Sequence, residues 1–496
     1  MMSETAQSKN DAKFIRMTTE PVERLVAVLA VPTIISMLVS SFYNLADTFF
    51  VRQLESDSMI AAVGIVFPLM AIIQAFGFFC GHGSGNYISR AFGRRDYSDA
   101  ETMAATGFFY AVFIGLLILI VGTVFKNQFV ILLGAKTEAS ISASLDYMQW
   151  ILLAAPFMTG AIVMNNQLRM QGNAFFAMLG LTSGSIMNLI LDPLFIFKKG
   201  DMIFGGRFEM PLGLGMGVGG AALATALSQL LGFLVLAVGM QFSDNIKIRL
   251  KNFSFKPYYI KGIVQGGLPS LVRQGLASIA TTSLNQAIGL FITEGTMIDA
   301  VQAAMTGVSK LMNFAASALI GFGQGFQPVC GFNYGAKLYG RVRKAYYFCF
   351  KLSFAVLVCL CALGIVFARP ITAALAGSSE LAQSIAAFTL RSQLVIFPLM
   401  SWVTLTNMML QNIGMTGRAT LVAMTRQGLT FIPCVLGLPL IAQALGFDPI
   451  VGLELSQAAA DFLALLISLP IGLSVLNQMR EEDKKTIADE KSGVAI

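Results

Sequence analysis

Long stretches free of charge alternate with short polar joints along this chain, and that rhythm is its first structural signal. Uncharged runs cover residues 25–46, 58–89, 102–125, 147–168, 170–191 and 210–243, then 274–293, 311–336, 352–368, 392–417, 427–447 and 462–479. The twelve runs are 17 to 34 residues long. An α-helix rises 1.5 Å per residue, so roughly 20 apolar residues cross the ~30 Å hydrocarbon layer of a bilayer. The pattern predicts twelve membrane-spanning helices. Strands are not expected, because no run alternates polar and apolar positions as a membrane barrel strand must. The fold class is therefore an all-α polytopic membrane protein.

The joints differ in charge. Those after the second, fourth, sixth, eighth and tenth runs hold 14 basic residues, among them Arg90, Arg94, Arg169, Lys247, Lys337 and Arg418; the others hold 7. Lys and Arg accumulate on the cytoplasmic side of membrane proteins, which places both termini in the cytoplasm of a multi-pass protein of the cell (inner) membrane. The expected organisation is an N-terminal tail over 1–24, a six-helix lobe over 25–243, a basic linker over 244–261, a second six-helix lobe over 262–479 and a C-terminal tail over 480–496. No cleavable signal peptide is expected, since residues 1–24 mix both charge signs and the apolar run that follows is longer than a signal core.

The two halves repeat one another. Pro32 after Ala30-Val31 matches Pro269 after Gly267-Leu268, and Gly81-His82-Gly83-Ser84-Gly85 matches Gly321-Phe322-Gly323-Gln324-Gly325. Further on, Pro156, Asn165 and Gly172 match Pro398, Asn407 and Gly414, each 242 residues apart. Ordered matches with a slowly drifting offset indicate duplication. Parallel repeats of this kind predict two lobes related by a pseudo-two-fold axis along the membrane normal, an arrangement suited to alternating access.

Composition narrows the function. Hydrophobic residues make up 55% of the 496 and charged residues 12%, about half of the ~25% charge of soluble proteins. A soluble multidomain enzyme, a disordered chain and a disulfide scaffold are excluded. The net charge of +7 would suggest nucleic acid in a soluble domain, but here it resides in loops, so no nucleic-acid partner is expected. Six cysteines in apolar surroundings and a single histidine, His82, offer no metal cluster; buried free thiols and no cofactor are expected.

Ionisable residues inside spans are costly and mark function. The acids are Asp47, Asp192, Glu454 and Asp461; the bases are Arg273, Lys310, Lys351, Arg391 and Arg426. Asp192 follows Asn188 by four residues, so both share one helix face. Asp47 and Asp192 could share a proton or a monovalent cation; otherwise Asp192, beside Pro193, simply ends its helix. Glu454 and Asp461, seven apart on one face, are expected to pair with Arg426. Pro32, Pro156, Pro269 and Pro398 each remove a helical N–H and make a kink or a flexible point, with Pro32 the expected hinge.

A family resemblance joins these residues. Val31-Pro32-Thr33 with Asn44-Leu45-Ala46-Asp47-Thr48-Phe49-Phe50-Val51 resembles the first helix of the multidrug and toxic compound extrusion (MATE) family. Asn188-Leu189-Ile190-Leu191-Asp192-Pro193-Leu194-Phe195 resembles its fifth helix, Gly219-Gly220-Ala221-Ala222-Leu223-Ala224-Thr225 its sixth, and Gln171-Gly172-Asn173 the loop after its fourth. The likeness spans roughly residues 20–480 and fits the DinF/MepA-like bacterial branch best. It implies a monomeric efflux transporter, not an enzyme, that exports organic, often cationic, amphiphilic small molecules by antiport with H+ or Na+. It also implies a cation-coupling site at Asp47, Asn188, Asp192 and Thr225 with Tyr43 beside it, where Na+ would sit at Asp47 and Asp192. The chain departs from relatives that carry a carboxylate where it has Ala277 or Gln324, so the second lobe is expected to lack a coupling acid. A flippase for a lipid-linked precursor, of the same superfamily, is the alternative; the few scattered intramembrane bases disfavour it. Residues 198–216 form a Gly-rich loop with no assigned role.

Overall fold

A computed structural model of the chain describes residues 4–54, 56–203, 206–242, 246–292, 295–375 and 379–491. The expected ends of the sixth and seventh spans, at 243 and 293, lie outside the described residues, as do the first two linker positions. The first half contains α1 (Glu4–Thr19), α2 (Val22–Arg52), α3 (Asp57–Gly93), α4 (Tyr97–Val124), α5 (Lys126–Leu132), α6 (Glu138–Met170), α7 (Ala174–Ile196) and α8 (Gly217–Phe242). The second contains α9 (Pro257–Phe291), α10 (Gly295–Gly335), α11 (Tyr339–Val366), α12 (Ala368–Leu375), α13 (Glu380–Ile396), α14 (Met400–Ile413), α15 (Thr416–Met424), α16 (Phe431–Ala444) and α17 (Pro449–Lys491).

Eleven helical stretches among the described residues are long and apolar enough to cross a membrane, taking α13–α14 and α15–α16 as one stretch each. The twelfth expected span is α9, 35 residues long; its Gln274, Thr281, Thr282, Asn285 and Gln286 make it more polar than the rest. Several ends differ from the sequence reading. The N-terminal tail carries α1, and α17 runs unbroken past residue 479. The sixth span begins at Gly217 rather than 210, because residues 198–216 fold back on themselves. There β1 (Met202–Ile203) pairs antiparallel with β2 (Phe208–Glu209), and Lys198 bridges to Leu214. Strands thus do occur, but among the described residues only as this two-residue hairpin in a loop.

The duplication is visible in the local geometry. α4 and α11, α5 and α12, and α6 and α13 begin 242 residues apart. Gly172 and Gly414, with φ of 82° and 87°, cap the helices before them in the left-handed region that glycine favours. Arg95 and Lys337 both take φ of 59° at the end of α3 and α10. The Asn165 side chain donates to the Ala177 carbonyl at 2.7 Å, as Asn407 does to Ala419 at 2.8 Å.

In lipid, apolar contact gives helices no preference for one another over the solvent, so small residues and close backbone approach decide packing. The centre of each lobe follows that rule. The most apolar stretch of α6 is 72% buried and that of α13–α14 is 67% buried, against 22–39% for the other spans. Ala154, Ala155, Thr159 and Gly160 let α6 be surrounded by α3, α4 and α8.

Two compact units result: Met1–Ile15 with Val31–Gly267, and Arg16–Ala30 with Leu268–Ile496. The division cuts through α2 just before Pro32 and through α9 just before Pro269, although both helices continue through their prolines. In the first unit the linker is docked rather than loose: Ser254 N–H donates to Thr106 Oγ1 at 3.2 Å, and the Tyr258 and Tyr87 hydroxyls meet at 2.5 Å. In the second, Asn333 donates to the Met17 carbonyl at 3.1 Å, Arg341 to the Glu20 carbonyl at 2.6 Å, and Lys344 pairs with Glu23 at 2.9 Å.

Candidate cation site

The first unit's polar centre depends on a close helix crossing. A Cβ on Gly184 of α7 would stand 3.0 Å from the Ser228 carbonyl of α8, and one on Gly232 would stand 3.0 Å from the Gly180 carbonyl. Only glycine allows the two backbones this approach. One turn further along α7, Asn188 reaches across: its Nδ2 donates to Thr225 Oγ1 of α8 at 3.4 Å and to Asp192 Oδ1 at 3.1 Å. Asn188, Asp192 and Thr225 are 1%, 0% and 3% exposed. The helix does not stop at Asp192; Pro193 lies inside α7, which runs on to Ile196. That disposes of the reading of Asp192 as a helix end.

From α2, Asp47 stands close enough to Asp192 for each carboxyl to act on the other, with Tyr43 one turn earlier inside the field of both acids. The structure thus brings together all five residues expected in this place. It adds Tyr147 of α6, 1% exposed, which feels the same two carboxyls and donates to Met70 Sδ at 3.7 Å. Sequence reasoning missed Tyr147. Its only signal was a phenol opening an apolar run directly after Asp146.

Three oxygens here, Asp47 Oδ1, Asn188 Oδ1 and Asp192 Oδ2, are buried without a hydrogen-bond partner. Buried polar atoms are normally satisfied, so the arrangement is short of positive charge or of donors. Two carboxylates this close repel, and burial removes the water that would screen them; a proton or a cation between them relieves both costs. The donors are hard oxygens: two carboxylates, an amide and a hydroxyl. No group of three or more His, Cys, Asp or Glu able to hold a metal occurs among the described residues. Such a set suits a proton or a monovalent cation better than a thiolate- or imidazole-seeking metal.

The second unit is built differently at corresponding places. Arg426 lies on a π-helical turn, Thr425–Leu429, between α15 and α16, where Gly184 stands 242 residues earlier in α7. Its Nε meets Asp461 Oδ1 at 3.0 Å and its Nη2 meets Oδ2 at 3.4 Å, while Gln457 adds a third donor to Asp461 at 2.8 Å. The expected pairing of Asp461 with Arg426 is present. Glu454, 6% exposed, does not share it; among the described residues Arg426 is engaged by Asp461 alone. Arg391 is an exposed residue whose Nε donates to the Ile365 carbonyl at 3.4 Å. Five cysteines are buried, but Cys359 is exposed on an outward face of α11 with Val356, Leu360 and Leu363, correcting the expectation for that one thiol.

A predominantly helical, multi-pass architecture with acids buried inside a lobe is that of a membrane transporter. The MatE family profile matches residues 32–194 and 275–436, one stretch in each half, and the chain belongs to that family. It is 27% identical over 335 residues to the multidrug export protein MepA of Staphylococcus aureus (strain MSSA476), covering 67% of this chain and 69% of that protein. Against MepA of Staphylococcus haemolyticus (strain JCSC1435) identity is 24% over 452 residues, covering 88% and 91%. A crystal structure of MATE in complex with MaL6 superposes with a TM-score of 0.82 at 25% identity, covering 94% of this chain and 99% of that one.

Proposed function

We propose that this protein exports amphiphilic, often cationic, organic molecules by antiport with H+ or Na+. It acts as a monomer in the cell (inner) membrane with both termini in the cytoplasm, and uses no organic cofactor. The observation that carries the reading is the trio of unpartnered buried oxygens on Asp47, Asn188 and Asp192. The MepA relatives, whose names describe multidrug export, support the cargo class.

In this reading the coupling ion is a co-substrate. It enters between Asp47 and Asp192 and satisfies their charge, while Asn188 Oδ1 and Thr225 Oγ1 supply neutral oxygens. Tyr43 and Tyr147 close the apolar side and keep out competing water. Neutralising Asp47 removes the repulsion that holds α2 away from α7, and α2 adjusts at Pro32, where the missing N–H leaves the Val28 carbonyl without its helical donor. The driving force is adequate when net charge enters: each net unit charge moved inward yields ~2.3 kcal/mol per 100 mV, more than a tenfold bias for a neutral or zwitterionic cargo, while a monovalent cation exchanged for one ion is driven by the ion's concentration gradient alone.

Purified protein in proteoliposomes tests this with rhodamine 6G as a lipophilic cationic cargo. An imposed Na+ gradient and an imposed proton gradient are applied separately. One of them should drive dye movement in the wild type, and Asp192→Asn should stop it. Dye flux that ignores both gradients would defeat the reading.

A further inference from the structure

The second lobe holds more positive charge inside its spans than its own acids neutralise. Arg273 lies sixteen residues into α9 and Arg426 ten residues beyond the start of α15, roughly 24 and 15 Å along their helices. Both are therefore well away from the helix ends. Arg426 is neutralised by Asp461, which in turn is saturated by Arg426 and Gln457. Arg273 has no hydrogen bond or ion pair among the described residues, and α9 packs directly on the π turn beside it: a Cβ on Gly428 would stand 2.8 Å from Leu276 Cδ1, so the charge nearest in effect to Arg273 is Arg426, another cation. The remaining acid on that face of α17, Glu454, sits two turns from Asp461 and pairs with neither arginine. A guanidinium left uncompensated inside a membrane span is expensive and marks a site. The π turn that carries Arg426 points the same way, because such turns cost backbone regularity and recur at functional places.

We propose that Arg273 and Arg426, with Arg426 braced by Asp461 and Gln457, form an anion-binding site in the second lobe that receives a carboxylate carried by the cargo. Arg273 offers the forked donors that a carboxylate matches bidentately, and Arg426, whose Nε/Nη2 edge is held by Asp461, adds the N–H groups that remain. The depth of the pair favours a carboxylate on a cargo molecule over a lipid headgroup, which stays at the ends of the spans. The substrate range then includes zwitterionic amphiphiles beside simple cations. The proposal rests on the export reading for its choice of ligand, but it is tested by binding without any gradient, so a failure of coupling leaves its outcome separate.

The experiment uses full-length protein in phosphatidylcholine nanodiscs and two xanthene dyes. Rhodamine B bears a free carboxylate; rhodamine 6G bears the ethyl ester and is a cation only. Fluorescence anisotropy should show that Arg273→Gln weakens rhodamine B at least tenfold while rhodamine 6G changes less than twofold. Arg273→Lys, which keeps the charge, should hold rhodamine B within about threefold. If Arg273→Gln does not fold, the double variant Arg426→Gln with Asp461→Asn, which removes a neutral pair, should give the same selective loss. Equal weakening of both dyes, no weakening, or no rhodamine B binding by the wild type would each overturn the site. An effect that appears only when phosphatidylglycerol is added would assign the arginines to a lipid and overturn the cargo carboxylate.

Discussion

The two lobes share a ground plan and invert its charge. In the first, Gly184 lets α7 lie against α8, and the turns that follow carry Asn188 and Asp192 toward Asp47. In the second, the corresponding position is Arg426; the helix absorbs it by opening into a π turn, and an acid on α17 answers it. One duplicated scaffold thus yields a cluster lacking positive charge and a cluster with one arginine left over. The lesson is that duplication preserves caps, turns and centre helices, while the few polar positions facing inward are free to diverge. The repeated φ values at Arg95 and Lys337 and the repeated Asn165 and Asn407 clamps are the preserved part.

Four tests press on that contrast, in descending order of effect. Asp47→Asn and Asp192→Asn should each abolish gradient-driven dye movement in proteoliposomes, a loss of more than tenfold, because the ion gradient is no longer coupled to the cargo; insertion and folding, checked by gel filtration, should be unchanged. Normal flux in Asp192→Asn would erase the difference between the lobes. Next, Gly184→Leu should destabilise by about 1–3 kcal/mol through overpacking against the Ser228 carbonyl. Gly437→Ala in α16, where a Cβ meets nothing within 4 Å, should change stability by no more than about 1 kcal/mol, and in the favourable direction. Thermal unfolding in detergent reads both.

Asp461→Asn should come third. It leaves Arg426 without its counter-charge, and because that side chain is 30% exposed the cost should be nearer 1–2 kcal/mol than the ~3–5 kcal/mol of a fully buried pair. A double-mutant cycle with Arg426→Gln should recover most of the loss; additivity would mean that the pair is not coupled. Glu454→Gln should be the mildest, within about twofold in flux, since no coupling partner stands beside it. A full loss of transport in this variant would give the second lobe a coupling acid of its own.

Much of this was legible in the sequence, for identifiable reasons. Charge-free runs reveal spans because the bilayer tolerates little else, and proline and glycine reveal the repeat because backbone geometry fixes them. The Asp192–Asn188 face follows from helical spacing. What spacing cannot convey is partnership between distant helices. Tyr147 joins the acids only through the packing of α6, and Glu454 misses Arg426 although Asp461, seven residues on, reaches it. The sixth span read seven residues too long because Met210, Pro211 and Leu212 are apolar and uncharged, yet hydrogen bonds such as Met210 N–H to the Asp201 carbonyl at 2.9 Å tie that stretch into a hairpin loop.

The assignment of residues 16–30 to the second unit carries a consequence for biogenesis. These residues emerge from the ribosome long before the side chains that hold them, Asn333, Arg341 and Lys344, which lie more than 300 positions later. The opening segment must therefore wait, threaded but unsecured, until most of the chain has been made. A fragment ending between the lobes would keep the first unit's later helices while leaving the first half of α2 without its lasting neighbours. Split versions of the protein should accordingly assemble only when the two pieces are made together, because the segment that opens α2 finds the side chains that hold it only in the later half.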